Sequence, residues 1–187
     1  MRIRQTDLLA DLKHRTHQII ATVETDFQSL PVLALHYKPS PAQWSIVECL
    51  EHLNLYGDYY LPAIHTAISK SRPSGPDTVF KSGWLGNYFA NLMLGKNGKI
   101  LKMSTPKNKN PLFLKVPDTV ITRFLGQQNE YLKLLDDAEN IHTGTATVPL
   151  SIVSWISFKL GDTLRFCIYH NERHIAQAER VLREATH

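Results

Sequence analysis

Residues 45–69, with the sequence SIVECLEHLNLYGDYYLPAIHTAIS, decide the fold class because they carry the pattern of one long amphipathic helix. Ser45 and Glu48 stand three residues apart at its start, the form of a capping box in which both side chains satisfy free backbone amides. Apolar or small residues then recur at helical spacing as far as Ile68. Pro62 is expected to bend or locally loosen this helix.

Three other segments show the same spacing, at about residues 6–30, 118–138 and 150–184. The last one includes Ile152 among its first apolar positions. No convincing alternation of apolar and polar residues marks a strand. Four amphipathic helices pack most simply as a four-helix bundle, so we predict an all-α protein with a single domain over residues 1–187.

A long insertion, about residues 71–117, separates the second and third helices. Its stretch from Thr78 to Pro117 has seven lysines and no acidic residue, although the whole chain has 21 basic and 17 acidic residues. The lysines stand at positions 81, 96, 99, 102, 107, 109 and 115. Such localised charge differs from that of a uniformly basic nucleic-acid binder. A nucleic-acid or membrane partner for the insertion is therefore a minor alternative.

Within the insertion, the residues between Phe80 and Met93 fit a short amphipathic helix, followed by loops at 95–99 and 105–111. We interpret Trp84 and its aromatic neighbours as a lid over one end of the bundle. A dimer surface and a membrane-surface helix are the alternatives, the latter because lysines beside aromatic residues are typical of interfacial helices.

The composition excludes several classes of protein. The chain of 187 residues is 43% hydrophobic and 20% charged, which is the balance of a folded globular domain. No apolar stretch approaches the ~18 residues of a membrane-spanning helix, and the N-terminal sequence lacks the apolar core of a signal peptide. The two cysteines, Cys49 and Cys167, cannot form a disulfide framework. We therefore expect a cytoplasmic protein.

Nine histidines are the feature most informative about function. His170 and His174 lie on one face of a predicted helix, about 6 Å apart along its axis. Two imidazoles at this spacing can share one metal ion, although the spacing alone also fits a packed or solvated pair. The segment is not a zincin HExxH motif, and we interpret Glu172 as a surface carboxylate near Arg173. Six histidines have no neighbouring residues in the sequence that would complete a convincing site: His14, His17, His36, His65, His142 and His187.

Two segments carry a resemblance to a known family, WSxxExxxHL at residues 44–53 and HxxxHxxQ at residues 170–177. Their order and helical placement resemble those of the DinB-like (YfiT-like) superfamily, and the resemblance spans nearly the whole chain. It implies a four-helix bundle in up-down-down-up order. It also implies that His52 from the second helix meets His170 and His174 from the fourth around a divalent metal ion.

Three imidazole ligands leave open coordination positions, as in a catalytic rather than a structural metal site. They fit zinc or nickel foremost, and iron or manganese is also compatible. Glu48 and Gln177 are weak candidates for orienting a ligand from outside, because capping explains Glu48 and packing explains Gln177 at least equally well. Cys49 and Cys167 are interpreted as core residues, with extra thiolate ligands as the alternative. No general base stands out, so catalytic residues stay unassigned.

What the resemblance implies is a metal-dependent enzyme acting on a small molecule. The family includes thiol S-transferases with bacillithiol- or mycothiol-type cosubstrates, a mycothiol-dependent isomerase and proteins described as metal-dependent hydrolases. We expect transfer of a metal-activated low-molecular-weight thiol, or else metal-dependent hydrolysis. The alternative is a metal-stabilised binding or scaffold module without turnover. Because family members are often homodimers, the resemblance also implies a homodimer.

Overall fold

The structure is mostly helical, in agreement with the predicted all-α class; it is a computed structural model that describes residues 1–75, 78–95, 104–151, 153 and 155–185. The helices are α1 (Gln5–Thr22), α2 (Val32–Leu35), α3 (Ile46–Ser69), α4 (Trp84–Leu94), α5 (Val120–Asp137) and α6 (Leu160–Ala185). The short strands are β1 (Arg2–Arg4), β2 (Val79–Lys81), β3 (Thr147–Pro149) and β4 (Ser157–Lys159). A π-helical segment, Val23–Phe27, continues α1, and 3-10 turns cover Lys107–Lys109, Pro111–Phe113 and Ala138–Asn140.

The helix α3 begins where its capping box predicts. The Glu48 backbone N–H donates to Ser45 Oγ at 3.3 Å, and the Ser45 backbone N–H donates to Glu48 Oε2 at 2.8 Å. The helix then continues through Pro62 as far as Ser69. The predictions for α1 with its π-helical segment and for α5 are confirmed to within a few residues.

The prediction that the fourth helix begins near residue 150 is wrong. The helix α6 begins at Leu160, and β3 and β4 form an antiparallel hairpin before it. Val148 pairs with Phe158, and both side chains are buried. The Leu160 backbone N–H donates to the carbonyl of Ala146 at 2.8 Å, which fixes the start of α6 beside the hairpin. Tertiary pairing of this kind overrides the apparent helical spacing of a short apolar run. Ile152 lies outside the described residues.

The four long helices α1, α3, α5 and α6 surround the hydrophobic core. The helix α3 contacts both α5 and α6, and α1 contacts the same two helices. Their fully buried side chains include Leu9, Leu12, Leu50, Phe124, Leu135 and Leu164. Cys49 and Cys167 are buried in the same core, as predicted. Within the described ranges, no helix combines the length and apolar character that crossing a bilayer requires.

The predicted amphipathic helix of the insertion is present as α4, and it packs against α6. Trp84 and Tyr88 are largely exposed, whereas Met93 is buried. The sequence analysis missed β2, which pairs with β1 and places Ile3 opposite the buried Phe80. The predicted loop positions 96–99, which include Lys96 and Lys99, lie outside the described residues, as do Lys102 and His187.

A buried ion pair on α6 anchors α4. Arg165 Nη1 lies 3.1 Å from Asp162 Oδ1, and the two side chains are 3% and 0% exposed. The Arg165 guanidinium also donates to Asn87 Oδ1 at 3.1 Å and to Asn91 Oδ1 at 3.0 Å, both on α4. A Cβ at Gly86 would lie 2.6 Å from Asp162 Cβ, so glycine allows the close approach of the two helices.

Candidate metal centre

Three buried histidines from two helices meet at one point. His52 comes from α3, and His170 and His174 come from consecutive turns of α6. One nitrogen of each ring lies within 4.8 Å of the corresponding nitrogens of the other two. The Nε2 atoms of His52 and His170 are 3.2 Å apart. The structure therefore brings together the three residues that the sequence analysis proposed as ligands.

Hydrogen bonds from outside the cluster orient two of the rings. His52 Nδ1 donates to the backbone carbonyl of Lys109 at 2.7 Å, and His174 Nδ1 donates to Gln177 Oε1 at 3.0 Å. A carbonyl oxygen can only accept, so both Nδ1 atoms carry the ring proton. In a neutral ring the lone pair is then on Nε2, the arrangement found in metal-ligating histidines whose other nitrogen is hydrogen-bonded.

Burial keeps the three imidazoles neutral. Loss of solvent lowers the pKa of His52 to about 4 and that of His174 to about 3. It also lowers the pKa of His170 well below the ordinary value, and His174 and His52 lower it further. Metal ions bind the neutral form of imidazole, so this donor set fits a metal ion. The cluster can hold a metal ion.

Aromatic side chains frame the cluster. The Trp44 ring lies 4.7 Å from the His52 ring and 5.5 Å from the His174 ring, between centroids. Tyr56 lies 4.6 Å from the His170 ring. Such an apolar frame removes solvent from the imidazoles and explains their lowered pKa values.

A cavity of about 140 Å³ opens beside the histidines. All three histidines line it, and so do aromatic side chains from α3, α4, β4 and α6: Tyr56, Tyr60, Phe89, Phe158 and Phe166. Arg173, the residue before His174, also lies in its wall. Phe89 of the aromatic segment around Trp84 lines the cavity, whereas Trp84 itself is 84% exposed. The lid over one end of the bundle stays a prediction.

The two candidate orienting residues behave differently. Gln177 bonds to His174, which favours its orienting role over simple packing. The Glu48 carboxylate is used by the capping box and by an ion pair with Lys38 at 2.8 Å. These contacts explain the position of the Glu48 carboxylate, as the capping interpretation predicts.

Other predicted positions lie apart from the cluster. Glu172, interpreted as a surface carboxylate near Arg173, is partly exposed and pairs with Arg15 of α1 at 2.9 Å. Burial raises the pKa of Cys49 and raises that of Cys167 to about 12, so both remain thiols in the core. Four of the six histidines that the sequence assigns to no site are exposed: His14, His17, His36 and His65.

Sequence reasoning missed two contributors to the cluster. Trp44 entered the sequence analysis only as the first residue of the WSxxExxxHL segment, without a role at the cluster, although its place beside the capping box was a usable signal. Lys109 acts through its backbone carbonyl, and a carbonyl in a loop has no sequence signature.

The site lies within a span that matches a known protein family. The model described as the DinB superfamily matches residues 15–178, a span that includes all three histidines. Neither the curated proteins nor the solved structures gave a match. Since the matched span covers well over half of the sequence, the chain belongs to the DinB superfamily.

Proposed function

We propose that this protein is a metal-dependent enzyme in which His52, His170 and His174 hold a divalent ion, zinc or nickel foremost, and that it transfers a low-molecular-weight thiol to a small electrophile. The observation that carries the proposal is the juxtaposition of a buried three-histidine cluster with a cavity for a ligand. A scaffold that binds no ligand would have no use for such a cavity, whereas a metal-stabilised binding module would, so the test must show turnover.

An ion held by three neutral imidazoles keeps its full positive charge and open positions, so it would ionise a coordinated thiol or lower the pKa of a coordinated water. The protein supplies the surroundings. Tyr56, Phe89 and Phe166 line the cavity and favour a ligand with an apolar body. The same rings exclude water, which strengthens electrostatic interactions within the site.

The charges around the cavity favour an anionic partner. Arg173 contributes a cation to the wall, and the described lining residues include neither aspartate nor glutamate. Three neutral imidazoles add no negative charge to offset a bound cation. A thiol that also carries a carboxylate therefore suits this site better than a cationic molecule.

Thiol transfer is better supported than hydrolysis. Hydrolysis by a metal-bound water is helped by a neighbouring group that accepts and returns a proton. The described lining residues include no carboxylate, and the three histidines there are the proposed ligands. A thiol that is already ionised needs no separate base when it attacks the electrophile. Its sulfur forms a bond to carbon, a leaving group such as chloride departs, and the thiol proton is released to solvent.

The test is thiol consumption with the metal-loaded protein and the electrophile monochlorobimane. Cysteine, glutathione and bacillithiol are compared, each with and without prior chelation. We expect chelator-sensitive conjugation that is lost in His170→Ala and retained in His65→Ala, a matched control because His65 is exposed on α3. Conjugation unaffected by chelation, or electrophile hydrolysis without added thiol, would contradict thiol transfer.

The contacts also support the up-down-down-up order of the four long helices. Gln5 at the start of α1 donates to the carbonyls of Ala138 and Ile141 just beyond the end of α5, which suggests that these helices are antiparallel. Arg123 near the start of α5 pairs with Glu51 near the start of α3, which suggests that these two are parallel. Four features stay predictions: the single domain over the whole chain, the homodimer, the cytoplasmic location and the basic insertion. Light scattering tests the dimer.

A further inference from the structure

A segment of the lysine-rich insertion covers the candidate metal centre. Ser104, Thr105 and Pro106 line the cavity beside the histidines. The chain then turns through the 3-10 turn Lys107–Lys109, where the Lys109 backbone N–H donates to the carbonyl of Pro106 at 2.9 Å. The turn contacts α3, so this covering segment, residues 104–109, ends directly on the helix that carries His52.

Lys109 contacts one turn of α3 in three ways. Its backbone carbonyl accepts from His52 Nδ1 at 2.7 Å. Its ammonium donates to the carbonyl of Leu55. The same ammonium lies 5.4 Å from the centre of the Tyr56 ring, within the range of a cation–π interaction.

These contacts link a half-buried lysine to the tautomer of a buried ring. The two ammonium contacts hold Lys109 in place on α3, and its position decides where its carbonyl lies. That carbonyl keeps the proton of His52 on Nδ1 and leaves the lone pair on Nε2, which faces His170 at 3.2 Å. Without the ammonium, the covering segment would lose its anchor, and the His52 ring would lose the acceptor that orients it.

We propose that Lys109 is a positioning residue that fixes the ring of His52 for metal binding and closes the cavity with the same contacts. The inference rests on the proposed function, because it concerns the same three histidines. It assigns a role to one particular lysine of the insertion rather than to its overall charge. Lys107, in the same 3-10 turn, is exposed and provides a matched control.

The first measurement is zinc affinity by chelator competition. Lys109→Met keeps an unbranched side chain of similar length but removes its charge, so zinc binding should weaken by about 10–100-fold, the usual effect of losing a group that orients a ligand. Lys109→Arg keeps the cation and should recover most of the affinity. Lys107→Met should bind as the wild type does.

The second measurement is the tautomer of His52 in the metal-free protein, read from the ring nitrogens by NMR. We expect Nδ1–H in the wild type and in Lys107→Met, and a mixture of tautomers in Lys109→Met. Recovery of the Nδ1–H tautomer in Lys109→Arg would tie the change to the cation. Circular dichroism checks that each variant is folded.

Two results would overturn the inference: wild-type zinc affinity in a folded Lys109→Met, or an Nε2–H tautomer of His52 in the metal-free wild type. The tautomer tests the inference even where a variant does not fold. Failure of the proposed function would look different. A wild type that binds no metal would refute the metal site, whereas the tautomer of His52 would still show whether Lys109 orients that ring.

Discussion

The Nε2 atoms of His52 and His170 lie 3.2 Å apart, although 118 residues separate them along the chain. The ring proton of His52 is on Nδ1, where it bonds to Lys109, and that of His174 is also on Nδ1, where it bonds to Gln177. Only the ring of His170 can therefore supply a proton to the meeting point of the three rings. One proton cannot satisfy both remaining lone pairs, whereas a shared cation satisfies all three nitrogens.

Acid should destabilise the metal-free protein. The pKa values of His52 and His174, about 4 and about 3 in the folded protein, lie below the ordinary value of 6.5 that applies on unfolding. From pH 6.5 down to about 4, the unfolded chain binds protons that the folded chain does not. The contribution of these rings to stability is therefore fully present above pH 6.5 and is lost as the pH falls. Each such proton lowers the free energy of unfolding by about 1.4 kcal/mol per pH unit.

Urea unfolding at about pH 7.5 and about pH 5 measures this dependence. His174→Gln removes one of the buried rings, so its stability should depend less on pH than that of the wild type. His14→Gln alters an exposed ring outside the cluster and serves as the matched control. Equal stability of the metal-free wild type at the two pH values would contradict the account.

Gln177 should control metal affinity through His174. Gln177→Leu removes the acceptor at 3.0 Å from His174 Nδ1 and should weaken zinc binding by about 10–100-fold in chelator competition. Gln177→Glu retains an acceptor and should bind zinc at least as tightly as the wild type. Glu184→Gln alters an exposed side chain on the same helix and serves as the control. Unchanged affinity in Gln177→Leu would show that the bond to His174 does not matter.

The buried pair of Asp162 and Arg165 should contribute strongly to stability. Asp162→Asn keeps the shape of the side chain but leaves a buried guanidinium without its counter-charge, so unfolding should become easier by about 3–5 kcal/mol. Asp7→Asn disrupts an exposed pair with Arg4 and should cost no more than about 1 kcal/mol. Urea unfolding compares the two variants, and similar small losses in both would refute the anchoring role.

Two glycines should respond oppositely to alanine. A Cβ at Gly86 would lie 2.6 Å from Asp162 Cβ, so Gly86→Ala should separate α4 from α6 and cost about 1–3 kcal/mol. A Cβ at Gly126 meets nothing within 4 Å, so Gly126→Ala in α5 should stabilise the protein by about 0.5–1 kcal/mol. Thermal unfolding reports both signs, and a Gly86→Ala variant as stable as the wild type would mean that the helices are not tightly apposed.

The sequence predicts those features whose signal is local. The capping box of Ser45 and Glu48 marks the start of α3 because both partners belong to one helical turn. The predicted ligands came from the spacing of His170 and His174 together with the family resemblance, which supplied His52. Spacing alone could not identify His52, since its partners are far away in the sequence.

Features that depend on pairing between residues far apart in the chain could not be predicted from the sequence. Strands of three residues are too short to show alternation, so the pairing of Val148 with Phe158 is visible only in the folded chain. The apolar residues before α6 also match helical spacing, so the sequence predicted a start for that helix too early in the chain. The contribution of Lys109 to the metal centre is likewise invisible, because any residue carries the same carbonyl.

Metal content by elemental analysis, compared between the wild type and His170→Ala, is the most direct test of the three-histidine centre. Near-stoichiometric divalent metal in the wild type, lost in His170→Ala and retained in His65→Ala, is the predicted result. The same sub-stoichiometric content in the wild type and in His170→Ala would contradict the assignment of His52, His170 and His174 as metal ligands.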